Sequence, residues 1–141
     1  MERSKIVIFD CSVGFATMTV DVRYLVDDVD AAADFYLAYL GFTEEESWGA
    51  PFRMLARGEL RLWVSGPGSS AARPMPDGSQ PEPGGWNRFV VEVDDIQAEV
   101  ARLRDAGVRF RNDIVTGPGG KQVVIEDPSG NPGELFQRAG R

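Results

Sequence analysis

The sequence predicts an α+β protein in which one unit, a strand, a helix and three further strands, occurs twice. Residues 26–29 read Val-Asp-Asp-Val, and residues 93–96 read Val-Asp-Asp-Ile. In each half, a helical pattern starts at this motif and three short strand patterns follow it. A motif that recurs with the same order of elements is typical of an internal duplication. Two unrelated strand–helix units that share a capping pattern are the alternative interpretation.

Module one, residues 17–65, begins with a predicted strand over 17–26, where polar and apolar side chains alternate. Asp27 or Asp28 is placed to cap a helix over 29–40, whose apolar residues recur at helical spacing. Three more strands are expected at 43–48, 52–57 and 60–65.

Residues 66–85 are rich in Gly, Pro, Ser and Ala, a composition that predicts a linker or a lid. Module two, residues 86–138, then repeats the order. A strand is expected over 87–93, and Asp94 or Asp95 is placed to cap the helix that follows. The remaining strands are expected at 108–115, 121–126 and 133–138.

Composition excludes several classes of function. At 141 residues the chain, 1–141, is expected to form a single domain. A net charge of −7 argues against nucleic acid as a partner, because nucleic acids bind mainly to basic surfaces. No apolar stretch approaches the roughly 20 residues that a membrane helix needs, so no membrane partner is expected.

The chain contains no histidine and one cysteine, Cys11. Histidine is the commonest ligand of transition metals and the usual general base near neutral pH. Zinc sites and iron sites that contain histidine are therefore excluded. A lone cysteine and the absence of a signal-peptide pattern at the start lead us to expect a cytoplasmic protein. Residues 4–10 suggest a short strand that could join the main sheet, form a dimer arm, or do neither.

The closing segment contains a compact turn signal, Asp-Pro-Ser-Gly-Asn-Pro at 127–132, between two strand patterns. Proline presets φ for a turn, glycine permits positive φ, and Asp and Asn side chains bond to nearby backbone. The pattern predicts a β-hairpin whose returning strand carries a carboxylate, Glu134, near its start.

Together these motifs resemble the vicinal oxygen chelate superfamily, also called the glyoxalase/bleomycin-resistance/dioxygenase group. The resemblance covers residues 17–138 and is carried by the following segments: 24–28, Phe35-Tyr36, Leu40-Gly41-Phe42, 93–96, 106–108 and 126–136. It implies two tandem βαβββ modules with curled mixed sheets that enclose a central cavity. It also implies a small organic ligand and a homodimer as partners, because members of the bleomycin-resistance type sequester small molecules, usually as dimers.

The resemblance further implies four ligand positions for a metal, one on the first strand and one on the last strand of each module. In this sequence they correspond to Asp21, Leu62, Arg88 and Glu134. Leucine has no donor atom and arginine has no lone pair to give. We therefore predict that the protein uses neither a metal nor another cofactor, and that Glu134 pairs with Arg88.

The candidate ligand-binding residues form a polar group and an aromatic group: Asp21, Arg23, Arg88 and Glu134, and Trp48, Phe52, Trp63 and Phe136. The polar group could present the donor fork of Arg88 to a ligand oxyanion, or could be an internal salt bridge. Similarly, the aromatic side chains could stack on a planar ligand or pack in the core.

Three functions follow from these alternatives. The first is a metal-free protein that binds a small molecule, as the bleomycin-resistance type does. The second is a lyase, isomerase or other enzyme of the superfamily that uses Arg88 as electrophile and Asp21 or Glu134 as general base. The third is a metal-dependent dioxygenase or lyase, which the missing ligands disfavour.

Overall fold

A computed structural model describes residues 19–47 and 51–140. Module one contains, in chain order, β1 (Val20–Leu25), α1 (Val29–Tyr39), β2 (Thr43–Ser47), β3 (Phe52–Arg57) and β4 (Leu60–Ser65). The linker contains a short 3-10 helix, Ser70–Ala72. Module two contains β5 (Val90–Glu92), α2 (Ile96–Asp105), β6 (Arg109–Phe110), β7 (Val115–Gly117), β8 (Gly120–Glu126) and β9 (Pro132–Arg138). The strand suggested at 4–10 and Cys11 lie outside the described residues.

Each module forms one mixed sheet with the same topology. In module one the strand order is β1-β4-β3-β2, in which β1 and β4 run parallel and the other pairs antiparallel. In module two the order is β5-β9-β8-β6, with β5 parallel to β9 and β7 also paired to β8. The predicted α+β fold with two repeated modules is therefore confirmed. No helix in the described parts of the chain has the length and apolar character to cross a membrane.

The second aspartate of each repeated motif caps the helix that follows it. Asp28 Oδ1 accepts a hydrogen bond from the backbone N–H of Ala31, and Asp95 Oδ1 accepts one from Ala98, both at 3.1 Å. These bonds satisfy backbone donors that the first helical turn leaves free. Of the two aspartates offered by each motif, the one directly before the helix is thus the cap.

Two predicted strands of module two are shorter than the sequence indicated. The segment expected as one strand over 108–115 is two short strands, β6 and β7. Between them the side chain of Asn112 accepts the bond from Val124 N–H at 2.9 Å, so the ladder is interrupted. The strand expected over 87–93 is also shorter. Phe89 N–H donates to the hydroxyl of Tyr24 rather than to a neighbouring strand, and β5 starts at the next residue, Val90.

Alternating side chains divide the two faces of module one's sheet. Leu62 and Val64 of β4 are fully buried in the core beneath the helices, together with Tyr24 of β1. Because successive residues of a strand point to opposite faces, Arg23 and Trp63 lie on the other face, which we call the open face. The core residues are even-numbered on both strands, and the open-face residues are odd-numbered.

The two modules share one core. Phe89 of module two packs among three aromatic rings of module one, with centroid distances of 5.5 Å to Tyr24, 6.0 Å to Tyr36 and 5.7 Å to Phe42. Tilted and edge-on aromatic pairs of this kind add roughly 0.5–1.5 kcal/mol each beyond the area they bury. The aromatic cluster therefore joins the modules in addition to the chain connection.

The turn at 127–131 also joins the modules. The carboxylate of Asp127 is almost completely buried and accepts hydrogen bonds from the hydroxyl of Tyr36 at 2.7 Å and from the side chain of Asn131 at 3.1 Å. It also accepts hydrogen bonds from the backbone N–H groups of Ser129 and Asn131. Asn131 in turn donates to the carbonyl of Leu25 at 2.7 Å. The predicted hairpin turn is thus an inter-module contact as well as a connection between β8 and β9.

Candidate functional site

The structure divides the predicted ligand-binding residues between two places. Arg23, Phe52 and Trp63 meet at a cavity on the open face of module one. The residues Arg88, Glu134 and Phe136 belong to module two. Asp21 is exposed on β1 and makes no hydrogen bond or ion pair with any described side chain. Trp48 lies outside the described residues, so its predicted role stays untested.

Strand register assembles the module-one cavity. Arg23 of β1 is the ladder partner of Trp63 on β4, and Phe52 of β3 is the partner of Ser65 on β4. The cavity has a volume of about 250 Å³. Its lining residues are Arg23, Pro51, Phe52, Trp63, Gly68, Ser69 and Ser70. We call it the module-one cavity below.

Arg23 lies across the indole of Trp63. Its guanidinium carbon is 4.8 Å from the centre of the Trp63 ring, and Nη1 donates to Ser65 Oγ at 3.1 Å. A cation over an indole face contributes about 0.5–1 kcal/mol at an exposed site. The two contacts fix the plane of the guanidinium and use one of its five N–H donors. The other donors have no hydrogen-bond partner within the described chain.

Phe52 completes the aromatic wall of the cavity. Its ring meets that of Trp63 edge-on, with centroids 5.5 Å apart and planes at 85°. Two rings at a right angle form a corner that a flat apolar group can contact on two sides. The cavity therefore combines one cation with two aromatic surfaces.

The linker closes one side of the cavity. Gly66 N–H donates to the carbonyl of Pro51 at 2.8 Å, and Ser69 Oγ donates to the carbonyl of Gly66 at 2.7 Å. A β-carbon at position 66 would lie 2.5 Å from a methyl group of Val29, so the backbone approaches the helix more closely than any other residue would permit. This contact fixes where the linker leaves β4 and brings Ser69 and Ser70 to the cavity.

Arg88 and Glu134 form an ion pair in module two. Nε and Nη2 of Arg88 both lie 2.9 Å from Glu134 Oε1, and Nη1 donates to the carbonyl of Trp86 at 3.1 Å. The side chains are 24% and 10% exposed. All three nitrogens of Arg88 are thus used within the protein. The predicted pair is present, whereas Asp21 does not join it.

The position equivalent to Glu134 in module one is Trp63 rather than Leu62. Arg23 and Val90 stand at the same distance before the repeated motif, and their ladder partners are Trp63 and Glu134 respectively. Leu62 points into the core with no exposed surface. The expected equivalence of Leu62 with Glu134 was wrong by one residue. A shift of one residue along a strand moves a side chain to the opposite face of the sheet.

A divalent metal does not fit the corresponding residues. With the corrected register, the four family positions are Asp21, Trp63, Arg88 and Glu134. Neither indole nor guanidinium nitrogen offers a lone pair, and the charge of Glu134 already faces Arg88. Among residues 19–47 and 51–140, no three His, Cys, Asp or Glu side chains are grouped to hold an ion. The prediction of a metal-free protein remains a prediction that this donor set favours.

Several residues that line the cavity or support its lining were not predicted from the sequence. Ser65, which fixes Arg23, stands two residues after Trp63 and so shares its face, a signal that alternation alone could have provided. Ser69 and Ser70 belong to a segment without periodic pattern and gave no such signal. Another missed contact is the stack of Arg111 on Trp86, at 4.5 Å, which leaves the indole 71% exposed.

Burial in the shared core raises the pKa of two tyrosines, Tyr24 and Tyr36. Burial, and to a smaller extent the charge of Asp127, raises the pKa of Tyr24 to about 12, although its bond from Phe89 N–H acts in the opposite direction. Burial, followed by the charge and hydrogen bond of Asp127, holds the pKa of Tyr36 well above its usual value. Both phenols are neutral at physiological pH. They stabilise the module contact and lie apart from the cavity.

Solved structures with this fold include proteins of different activity. The chain is similar to lactoylglutathione lyase from Agrobacterium tumefaciens, with 21% identity over 86% of this chain and 94% of that one, and a TM-score of 0.66. TnmS3, an antibiotic-binding protein from Streptomyces sp. CB03234, is 25% identical over 86% and 95%, with a TM-score of 0.65. FosX, a fosfomycin resistance protein from Listeria monocytogenes, is 12% identical over 84% and 90%, with a TM-score of 0.64.

Sequence comparison identifies the family. No protein of curated function matches the sequence. The family model described as Glyoxalase/Bleomycin resistance protein/Dioxygenase superfamily matches residues 18–135, which includes both modules and the linker. The topology of the two sheets agrees with that match. This chain therefore belongs to the glyoxalase/bleomycin resistance protein/dioxygenase superfamily.

Proposed function

We propose that this protein binds and sequesters a small organic molecule in the module-one cavity without using a metal. The observation that carries the proposal is the cavity itself, in which Arg23 is stacked on Trp63 beside Phe52. A concave site with apolar walls and few placed polar groups is typical of a ligand-binding site. We propose that the binding takes place in the cytoplasm.

The similarity to TnmS3 supports an antibiotic as the class of molecule that is bound. The donor set at the family's metal positions supports binding over metal-dependent turnover, because Trp63 and Arg88 replace ligands there. Within the superfamily, sequestration needs a complementary cavity, whereas lyase, isomerase and dioxygenase functions need an additional reacting group.

A second copy of this chain is the protein partner that we propose. On the face of the module-two sheet opposite the core, Val90 and Val115 have 49% and 46% of their surface accessible. A paired copy would remove these apolar side chains from water. Light scattering on the size-exclusion peak should give the mass of a dimer. Val90→Arg should shift it to a monomer, while Met75→Arg, at an exposed apolar position of the linker, should not; a monomeric wild type would contradict the proposal.

The binding proposal is tested by a thermal-shift screen of antibiotics and planar aromatic compounds, followed by calorimetric titration of the compounds that stabilise the protein. Trp63→Ala should weaken binding roughly ten-fold or more, because the cavity loses its main aromatic surface. Trp86→Ala is the matched control, since Trp86 is 71% exposed and does not line the cavity. Equal affinities for wild type and Trp63→Ala would place the ligand elsewhere.

The enzyme alternative gives a different result in the same samples. Mass spectrometry of a bound compound after long incubation should recover it unchanged, with or without added Mn²⁺, Ni²⁺ or Zn²⁺. Stoichiometric metal uptake together with a converted compound would contradict metal-free sequestration and support a lyase, isomerase or dioxygenase instead.

A further inference from the structure

We infer that the molecule bound in the module-one cavity is an anion, with its negative group on Arg23 and a flat ring against Trp63 and Phe52. The inference rests on the proposed binding function and names the chemical class of its ligand. Three features of Arg23 carry it: the absence of a neutralising carboxylate among residues 19–47 and 51–140, the fixed guanidinium and the position on the cavity wall.

Arg23 differs from most other arginines of the two sheets; Arg57 of β3 also pairs with no carboxylate in the described part of the chain, but it donates to the carbonyl of Leu40. Most of these arginines face a carboxylate within ion-pair distance: Arg53 with Asp30 and Glu44, Arg61 with Glu45, Arg88 with Glu134, Arg111 with Glu126, and Arg138 with Glu92. Arg23 contacts a hydroxyl and an indole instead. Within the described residues no Asp or Glu pairs with it, although Asp21 shares its strand face.

A cation with no carboxylate partner in the described part of the chain is informative because the chain is acidic. With 22 acidic and 15 basic residues, carboxylates outnumber cations, yet none of those in the described residues is placed at the cavity. From the sequence, Arg88 was a candidate for anion binding. In the structure, however, all three nitrogens of its side chain donate hydrogen bonds to Glu134 or to the carbonyl of Trp86. Among the described residues that line the cavity, Arg23 is the cation whose N–H donors are available to a ligand.

The contacts of Arg23 suit an anion for a geometric reason. Trp63 supports one face of the guanidinium, and Ser65 holds one nitrogen at 3.1 Å. A planar fork held in this way can donate two parallel hydrogen bonds to a carboxylate, sulfonate or phosphonate. Because the side chain is already ordered, a ligand loses less conformational entropy in binding it.

The walls and size of the cavity define the rest of the ligand. Trp63 and Phe52 meet at 85°, which gives a flat ring two surfaces to contact. The volume of about 250 Å³ is below the roughly 300–1,000 Å³ of sites for drug-sized ligands. A compact aromatic acid with one or two rings therefore fits the cavity better than a large glycopeptide does.

The test uses two probes of the same shape, 2-naphthoate and the neutral 2-naphthamide, titrated calorimetrically into the full-length protein. Wild type should bind naphthoate about ten-fold more tightly or better, as expected for hydrogen bonds to a charged group. Arg23→Gln should remove this preference. Arg104→Gln, which removes a cation paired with Asp113 away from the cavity, should keep it.

Salt provides a second measurement that needs no variant. Rising NaCl concentration should weaken the binding of naphthoate and leave that of naphthamide nearly constant, because salt screens charge pairs. Equal affinity of the two probes for wild type, or a preference that persists in Arg23→Gln, would overturn the inference and leave the binding function intact. If neither probe binds, the inference is overturned; the binding function fails only if the broader screen also finds no ligand.

Discussion

The hydroxyl of Tyr36 on α1 donates a 2.7 Å hydrogen bond to Oδ2 of Asp127, the first residue of the turn between β8 and β9. Both side chains have at most 1% of their surface exposed. The bond therefore links a helix of module one to a turn of module two inside the shared core. Asp127 accepts three further hydrogen bonds, so its buried charge is satisfied by four donors.

Tyr36→Phe should lower the free energy of unfolding by about 1–3 kcal/mol, because it removes one donor from a buried carboxylate. Tyr39→Phe is the matched control on the same helix, since the Tyr39 hydroxyl makes no hydrogen bond to a described residue. Urea denaturation of both variants checks the prediction. Equal midpoints for the two would show that the Tyr36–Asp127 bond contributes nothing to stability.

Stability should decrease at alkaline pH. The folded-state pKa of Tyr24 is raised to about 12 and that of Tyr36 is also raised, whereas an unfolded tyrosine ionises near pH 10. The stabilisation is fully present below pH 10 and is lost as pH rises through the folded pKa. From Tyr24 alone the loss is about 2–3 kcal/mol, at about 1.4 kcal/mol per pKa unit.

Chemical denaturation at successive pH values between 8 and about 11.5 measures this slope, over the range in which unfolded tyrosine ionises. Tyr24→Phe should flatten the decline, because that position no longer binds a proton in either state. Free energies of unfolding that stay constant across the range in wild type would contradict the burial of these phenols.

Gly66→Ala should destabilise the protein by about 1–3 kcal/mol through overpacking, since its β-carbon would lie 2.5 Å from Val29 Cγ2. The double variant with Val29→Ala should recover part of that loss, which a thermodynamic cycle detects. Gly117→Ala is the control, because a β-carbon there meets no atom closer than 4.0 Å. Purely additive effects of Gly66→Ala and Val29→Ala would exclude the steric explanation.

Arg88→Met should reduce stability by about 1–3 kcal/mol, because it leaves the Glu134 carboxylate, 10% exposed, without its cation. Arg138→Met breaks an exposed pair with Glu92 and should change stability much less, because water and salt screen exposed ion pairs. We expect both variants to keep the naphthoate affinity of wild type. If Arg88→Met alone lost that affinity, the ligand would bind at Arg88 in module two, which is one of the positions selected from the sequence.

Local patterns predicted most of the fold. Strands β3 and β4 have the predicted bounds, 52–57 and 60–65, because alternation and turn residues are local signals. The strand expected at 108–115 was divided because Asn112 replaces a backbone acceptor. Whether a side chain takes the place of a backbone acceptor depends on where that side chain points, and residue type alone does not specify this.

The candidate site was predicted less completely. Arg23, Phe52 and Trp63 were selected from sequence and do meet at one cavity. The choice of Leu62 over Trp63 failed because ladder register, and with it the face of each residue, is a property of the pairing. Arg88 could have paired with Glu134 or bound a ligand, and only the geometry shows which nitrogens are used. The linker contacts had no periodic pattern from which to predict them.

The alternation along β1 and β4 gives this protein two nearly independent sets of positions. Core packing depends on even positions such as 24, 62 and 64, while odd positions such as 21, 23, 61 and 63 face the open side. Ligand preference can therefore be redesigned by point substitution at odd positions with little effect on folding. Insertion of one residue within β4, by contrast, would exchange the two sets and disrupt recognition and core at once.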